Sequence, residues 1–279
     1  MRRDANTQFA ANVVEHTLDV VHGWIPRHRK RPLCIGVSGL QGSGKSTLVR
    51  QLARRARSRG LRCEVLSLDD FYLGRRERLR LAQAVHPLFA TRGVPGTHDV
   101  ALLLRVLAGL ARASPARPVR VPRFDKGRDT RLPPSRWRAV TRAPALVLLE
   151  GWCVGVAPQS SAPLARPVNA LERDEDADGR WRRYVNDELA GSCARAWRRL
   201  DRLVLLQAPR FDVVAHWRGE QERRLRRRGA PRAMDGAALR RFLMHYERLS
   251  RHALRTLPAR ADLRLVLDAR RTVRAITAR

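Results

Sequence analysis

The chain has 279 residues, 44% hydrophobic and 30% charged, enough apolar material for one large α/β core and too much for a wholly disordered chain. No run of 18 apolar residues exists, which excludes a membrane-spanning helix. The formal charge of +31 would ordinarily direct attention to nucleic acid, but only Lys30, Lys45 and Lys126 among the 57 basic residues are lysine. So one-sided an arginine choice reads as compositional drift filling solvated positions, and no specific nucleic-acid partner is expected.

Cys34, Cys63, Cys153 and Cys193 are scattered without a CxxC pair, so neither a zinc nor a redox site is expected. Asp4, Asn6 and Glu15 interrupt the N-terminus where a secretory signal needs a continuous apolar stretch, and the expected location is cytoplasmic. The sequence carries no signal for oligomeric state.

In chain order, residues 7–24 predict an amphipathic helix followed by a basic linker, so that 1–32 precede one domain spanning 33–279. LCIGVSG (33–39) reads as a buried strand, and Leu48, Leu52 and Ala56 give helical spacing over 45–59 with Gly60 as its stop. Strands are predicted at 62–68, 118–124 and 145–150, with a helix at 99–112. Between Cys153 and Gly179 lies a loop-rich stretch whose acidic cluster (Glu172, Asp174, Glu175, Asp176, Asp178) is read as an exposed helix start or loop before a metal site. Residues 180–200 predict a helix, 201–209 a buried strand, 211–228 and 236–255 two basic helices, and LRLVLDA (263–269) the last strand. Apolar strands alternating with helices imply a mainly parallel sheet covered on both faces, a three-layer α/β/α arrangement.

Gly39-Leu40-Gln41-Gly42-Ser43-Gly44-Lys45-Ser46, followed by Thr47, fits the phosphate-binding pattern GxxxxGK[ST] between a predicted strand and a predicted helix. Glycines allow backbone N–H groups to turn around phosphate oxygens, and the helix start adds its positive end. The Lys45 ammonium reaches the outer phosphates, and the Ser46 hydroxyl suits Mg²⁺. Asp69 and Asp70 follow the second strand, where a carboxylate can take a proton from an attacking hydroxyl or hold Mg²⁺ through water. Glu150 closes a buried strand, a costly place for a carboxylate unless it meets a cation or a donor.

These elements resemble the P-loop small-molecule kinases of the phosphoribulokinase, uridine kinase and pantothenate kinase group. The closer resemblance is to the D-glycerate 3-kinase family, carried by the P-loop, LDDFYL (68–73), RGVPGTHD (92–99), VPRFDKGRD (121–129), LLEGW (148–152), VNALE (168–172), HWRGEQE (216–222) and FLMHYERLSRHALRTLP (242–258). Phe124 stands where the family commonly has Tyr, and Thr97 where it often has Ser. The resemblance implies a P-loop fold with a small helical lid over about 211–235, ATP and Mg²⁺ as cofactors, and D-glycerate as the small-molecule acceptor, phosphorylated at its 3-hydroxyl. Residue by residue, it implies Asp69 as favoured base, with Asp70 and Glu150 sharing the base and Mg²⁺ roles. It places His98, Asp99, Arg123, Asp125 and Lys126 against the acceptor, and Arg223 and Arg227 on the lid. Arg123, Arg128 or Arg131 would suit the acceptor's carboxylate. A kinase for another small alcohol is the alternative within the group, and a basic P-loop ATPase binding nucleic acid is the alternative outside it.

Overall fold

The computed structural model describes residues 9–25, 31–227 and 234–279. Helix α1 (Ala11–Gly23) leads into β1 (Leu33–Gly39), every residue of which is buried, and then α2 (Lys45–Ser58). Strand β2 (Cys63–Ser67) is followed by α3 (Arg75–Ala84) and α4 (Val100–Leu110). Four short strands come next: β3 (Val119–Val121), β4 (Phe124–Asp125), β5 (Thr130–Arg131) and β6 (Arg138–Val140). Strand β7 (Leu146–Gly151) returns to the core, followed by α5 (Ser161–Ala165), α6 (Ala170–Glu175), α7 (Arg180–Glu188) and α8 (Ala194–Trp197). The chain ends with β8 (Arg202–Gln207), α9 (Val213–Arg227), α10 (Gly236–Thr256), β9 (Leu263–Leu267) and β10 (Val273–Ala278).

Six strands form the central sheet in the order β10-β9-β8-β1-β7-β2, parallel except for β10. The chain moves outward from β1 to β2, fills the gap with β7, and then crosses to the other side for β8 and β9. This reversal places the carboxyl ends of β1 and β7 at a switch point, where open α/β sheets form their ligand crevice. Register fixes what meets there: Val37 pairs with Glu150, and Ser67 of β2 also pairs with Glu150.

Apolar clusters cover both sheet faces. On one side Phe9, Val14, Leu18 and Val21 join Leu48, Val49 and Leu52, so α1 and α2 share a core with the sheet. On the other, Leu103, Val106 and Leu110 of α4 pack with Trp181, Leu189 and Leu249. Helix α10 contributes to both, Leu239 and Leu243 to the first and Tyr246 and Leu249 to the second.

The structure departs from the sequence reading in four places. The strand expected at 118–124 is not part of the central sheet: β3 pairs with β6 in a separate antiparallel hairpin. The helix expected over 180–200 is interrupted by a π-turn at Leu189–Cys193. The strand at 263–269 is not the last, because β10 runs back antiparallel along β9. In the acidic stretch, Glu172 and Asp176 are buried rather than exposed. Glu172 accepts from Arg248 Nε and Nη2 at 2.8 and 2.6 Å, and Asp176 from Arg182 Nη1 at 2.8 Å. They pin α6 and α7 in place, which is why carboxylates occur there. Among the described residues, no group of three or more His, Cys, Asp or Glu is placed to hold a metal, and no helix is long and apolar enough to cross a membrane. All four cysteines are free and buried.

Candidate active site

Strand β1 ends at Gly39, and the following loop turns on Gly42 and Gly44, with φ of +80° and +97°. Gly42 is doubly constrained: a Cβ there would lie 2.7 Å from Cβ of Trp217, whose fully buried ring docks α9 against the loop. Gly44 starts α2 without any side-chain cap, so the first-turn N–H groups remain available to a ligand. Ser43 Oγ and both amide atoms of Gln41 are buried without a partner, polar groups whose burial a bound anion would offset. These features fit a phosphate.

Lys45, the first residue of α2, is buried and donates to the carbonyl of Leu40 at 3.0 Å. Burial pushes its ammonium below the usual lysine range, opposed by the charges of Glu150 and Asp69. Ser46 Oγ and Ser67 Oγ both donate to Oε1 of the buried Glu150 at 2.8 Å. One hydroxyl beside one carboxylate is a donor set that suits Mg²⁺, which takes the rest of its shell from phosphates and water.

Asp69 and Asp70 follow β2 in a short 3₁₀ turn, and the two carboxylates diverge. Asp69 faces the cleft and accepts from Lys126 Nζ at 2.6 Å. Burial would raise its pKa, but Lys126, through its charge and its hydrogen bond, together with Lys45 outweighs that and holds it below the usual carboxylate value. Asp70 Oδ1 instead accepts from the backbone N–H of Phe124 at 3.0 Å, which ties β4 to the 3₁₀ turn. Its pKa is raised by burial, partly offset by the Phe124 N–H and Arg123.

The remaining predicted residues differ in what they meet. His98 is buried, stacked on Tyr72 with ring centroids 4.4 Å apart, and neither ring nitrogen has a partner. Burial depresses its pKa to about 4, against the pull of Asp69, so the ring is neutral. Arg123 and Lys126 line a cavity of about 1160 Å³ together with Asp69, Asp70, Asp125 and Glu150. Asp99 and Asp125 have local work. Asp99 caps α4 through Leu102 N at 2.8 Å and accepts from Arg131 at 2.9 Å. Asp125 accepts from the N–H groups of Gly127 and Arg128 at 2.9 and 3.0 Å, closing the turn that carries Lys126.

A second, adjoining cavity of about 260 Å³ holds Gln41, Lys45, Ser46, Asp69, Lys126 and Glu150. Its other walls escaped sequence reasoning: Arg92, Trp152, Arg218, Gln221, Phe242 and Tyr246. Arg92 and Arg218 lie within RGVPGTHD and HWRGEQE, and position inside those motifs was the one available signal. Arg218, next to the docked Trp217, donates to Gln221 and Glu222 and covers the Phe242 ring at 5.7 Å. Arg223 and Arg227 are exposed on α9 and line neither cavity, and residues 228–233 of the expected lid lie outside the described residues.

No protein-family model matches the chain. It is 34% identical over 228 residues to the uncharacterized kinase mug58 of Schizosaccharomyces pombe, covering 79% of this chain and 80% of that protein. It is 32% identical over 213 residues to the chloroplastic D-glycerate 3-kinase of Arabidopsis thaliana, covering 71% of this chain and 42% of that protein. Among solved structures it resembles a D-glycerate 3-kinase from Cryptococcus neoformans, with a TM-score of 0.77, 24% identity, and coverage of 97% and 100% of the two chains.

Proposed function

Since this chain belongs to the D-glycerate 3-kinase family of P-loop kinases, we propose that it transfers the γ-phosphoryl of ATP to the 3-hydroxyl of D-glycerate in the cytoplasm, giving 3-phosphoglycerate and ADP. The observation that carries this reading is one cleft gathering Lys45, Ser46 and Glu150 on its phosphate side and the Asp69–Lys126 pair on its acceptor side.

Each residue has a role that its surroundings support. Lys45, whose charge Glu150 and Asp69 favour against burial, offers its ammonium to the outer phosphates, and the uncapped start of α2 cradles them. Ser46 and Glu150 would hold Mg²⁺, with Asp69 reaching it through water; when bound, the ion spreads the charge of the phosphates and lowers their repulsion of an incoming hydroxyl. Ser67 keeps the Glu150 carboxylate oriented. Asp69, kept ionised by Lys126, accepts the hydroxyl proton as the substrate oxygen bonds to the γ-phosphorus and the bond to the β-phosphate oxygen breaks. Asp70 anchors β4, and Asp125 shapes the turn, so both act by placing Arg123 and Lys126 beside the acceptor. Arg223 and Arg227, exposed on α9, are proposed as the lid arginines that neutralise charge on the transferred phosphoryl group.

The test is a coupled ADP-release assay with MgATP and D-glycerate, L-glycerate, uridine, pantothenate or ribulose 5-phosphate, with RNA as a control. Turnover on D-glycerate alone supports the reading. Turnover on another alcohol retains the mechanism with a different acceptor, and stimulation by RNA alone would make this a nucleic-acid-dependent ATPase.

A further inference from the structure

A second charged assembly flanks the cleft and is not used by the mechanism above. Asp129 bridges two guanidinium groups, accepting from Arg78 through Oδ2 and from Arg92 through Oδ1. Arg78 is fully buried and also donates to the carbonyls of Leu73 and Ala90, at 2.7 and 3.2 Å. Asp129 itself has φ of +55°, a left-handed conformation uncommon outside glycine, asparagine and aspartate. A strained backbone under a doubly bonded carboxylate is a costly arrangement that the surroundings hold in place.

What this arrangement places is Arg92. Its backbone is fixed on both sides of its peptide: Tyr246 Oη donates to the Arg92 carbonyl at 3.0 Å, and Trp152 Nε1 donates to the Gly93 carbonyl at 3.0 Å. Its guanidinium lies over the Phe124 ring at 5.5 Å, is about 29% exposed, and lines the cavity shared by Lys45, Asp69 and Lys126. Asp129 engages one terminal nitrogen, which leaves the rest of the planar fork for a second anion. By contrast, Arg131 is tied to Asp99 and Arg123 is exposed.

We propose that Arg92 binds the carboxylate of the acceptor and that Asp129, anchored by Arg78, is its positioning residue. The inference rests on the glycerate reading above. It gives the cleft a basis for preferring a hydroxy acid over a neutral polyol of similar size, because a polyol leaves this ordered cation without its anion.

The experiment compares D-glycerate with glycerol as acceptors at saturating MgATP, in the full-length wild-type chain, Arg92→Gln, Arg92→Lys, Asp129→Asn and the double variant Arg92→Gln/Asp129→Asn. Asn keeps the left-handed backbone accessible while removing the charge. Arg92→Gln should raise KM for D-glycerate by about 10- to 100-fold with KM for ATP within about two-fold, the range expected for a charge-assisted pair. The advantage of D-glycerate over glycerol should collapse by the same factor, with Arg92→Lys intermediate. Asp129→Asn should raise the same KM less, and its effect should vanish in the Arg92→Gln background, where an independent structural role would still add. An unchanged KM for D-glycerate in Arg92→Gln, or a rise confined to ATP, overturns the inference while leaving the kinase reading intact. A wild-type chain without turnover on D-glycerate overturns both.

Discussion

Replacing Lys45 by methionine separates ligand binding from folding. The side chain is buried and makes one hydrogen bond, to the Leu40 carbonyl at 3.0 Å, while burial works against its charge. Met removes that charge at nearly constant volume, so the unliganded fold should change by no more than about 1 kcal/mol. The nucleotide response should change far more. At an ATP concentration 100 times Kd, binding stabilises the wild-type chain by about 2.7 kcal/mol. For a domain of this size that is a Tm rise of roughly 5 °C. A charge-assisted bond to phosphate is worth about 1.5–3 kcal/mol, so losing it weakens Kd by roughly 10- to 150-fold. At a 100-fold loss the same ATP concentration equals Kd, and the stabilisation falls to about 0.4 kcal/mol, a Tm rise of roughly 1 °C. Thermal melting of both proteins with and without MgATP measures this directly. Equal ATP-induced shifts in the two proteins would show that Lys45 does not meet the phosphates and that the P-loop reasoning is wrong.

Asp69→Asn should lower kcat by about 10²-fold or more with ATP-induced stabilisation retained, and a greater loss in Glu150→Gln with near-normal Asp69→Asn would move the base assignment to Glu150. Because Lys126 helps hold the Asp69 carboxylate below its usual pKa, Lys126→Met should move the acidic limb of the kcat/KM profile to higher pH, and an unmoved limb refutes the pairing. His98, buried with a pKa near 4 against 6.5 when unfolded, makes the unfolded chain bind more protons between those values. Its contribution is therefore complete above pH 6.5 and is lost as pH falls toward 4, about 3 kcal/mol in all, so wild type should lose that much more stability than His98→Phe over the interval. Gly93→Ala would put a methyl 2.1 Å from Tyr246 Oη and disturb the bonds at the Arg92 and Gly93 carbonyls. A loss of about 3–5 kcal/mol follows from overpacking and broken hydrogen bonds, and an unchanged melting temperature would contradict the packing described.

The proposed phosphate half of the site was readable as a motif because its residues are local in sequence. A glycine-rich turn, a lysine and a hydroxyl sit within eight residues, and a strand, a helix and a buried Glu150 surround them in recognisable patterns. The proposed acceptor half was less readable because its groups meet only through tertiary structure. Asp99 precedes an apolar helical run and carries the sequence signature of an N-cap, a role that its place in GTHD obscured. Arg92 could not be singled out in a chain so rich in arginine; only the contacts of Asp129 and Phe124 distinguish it. Strand β10 was missed because VRAITA is short, half exposed and without strong alternation, as an edge strand can be. The π-turn at Leu189–Cys193 likewise has no strong local signal in the sequence.

The most direct test of the central claim is the product of MgATP and D-glycerate, identified by ³¹P and ¹³C nuclear magnetic resonance. Phosphoryl transfer to the 3-hydroxyl gives 3-phosphoglycerate and ADP in equal amounts, with none formed by Lys45→Met. Formation of 2-phosphoglycerate, or ADP release without any phosphorylated glycerate, would contradict it.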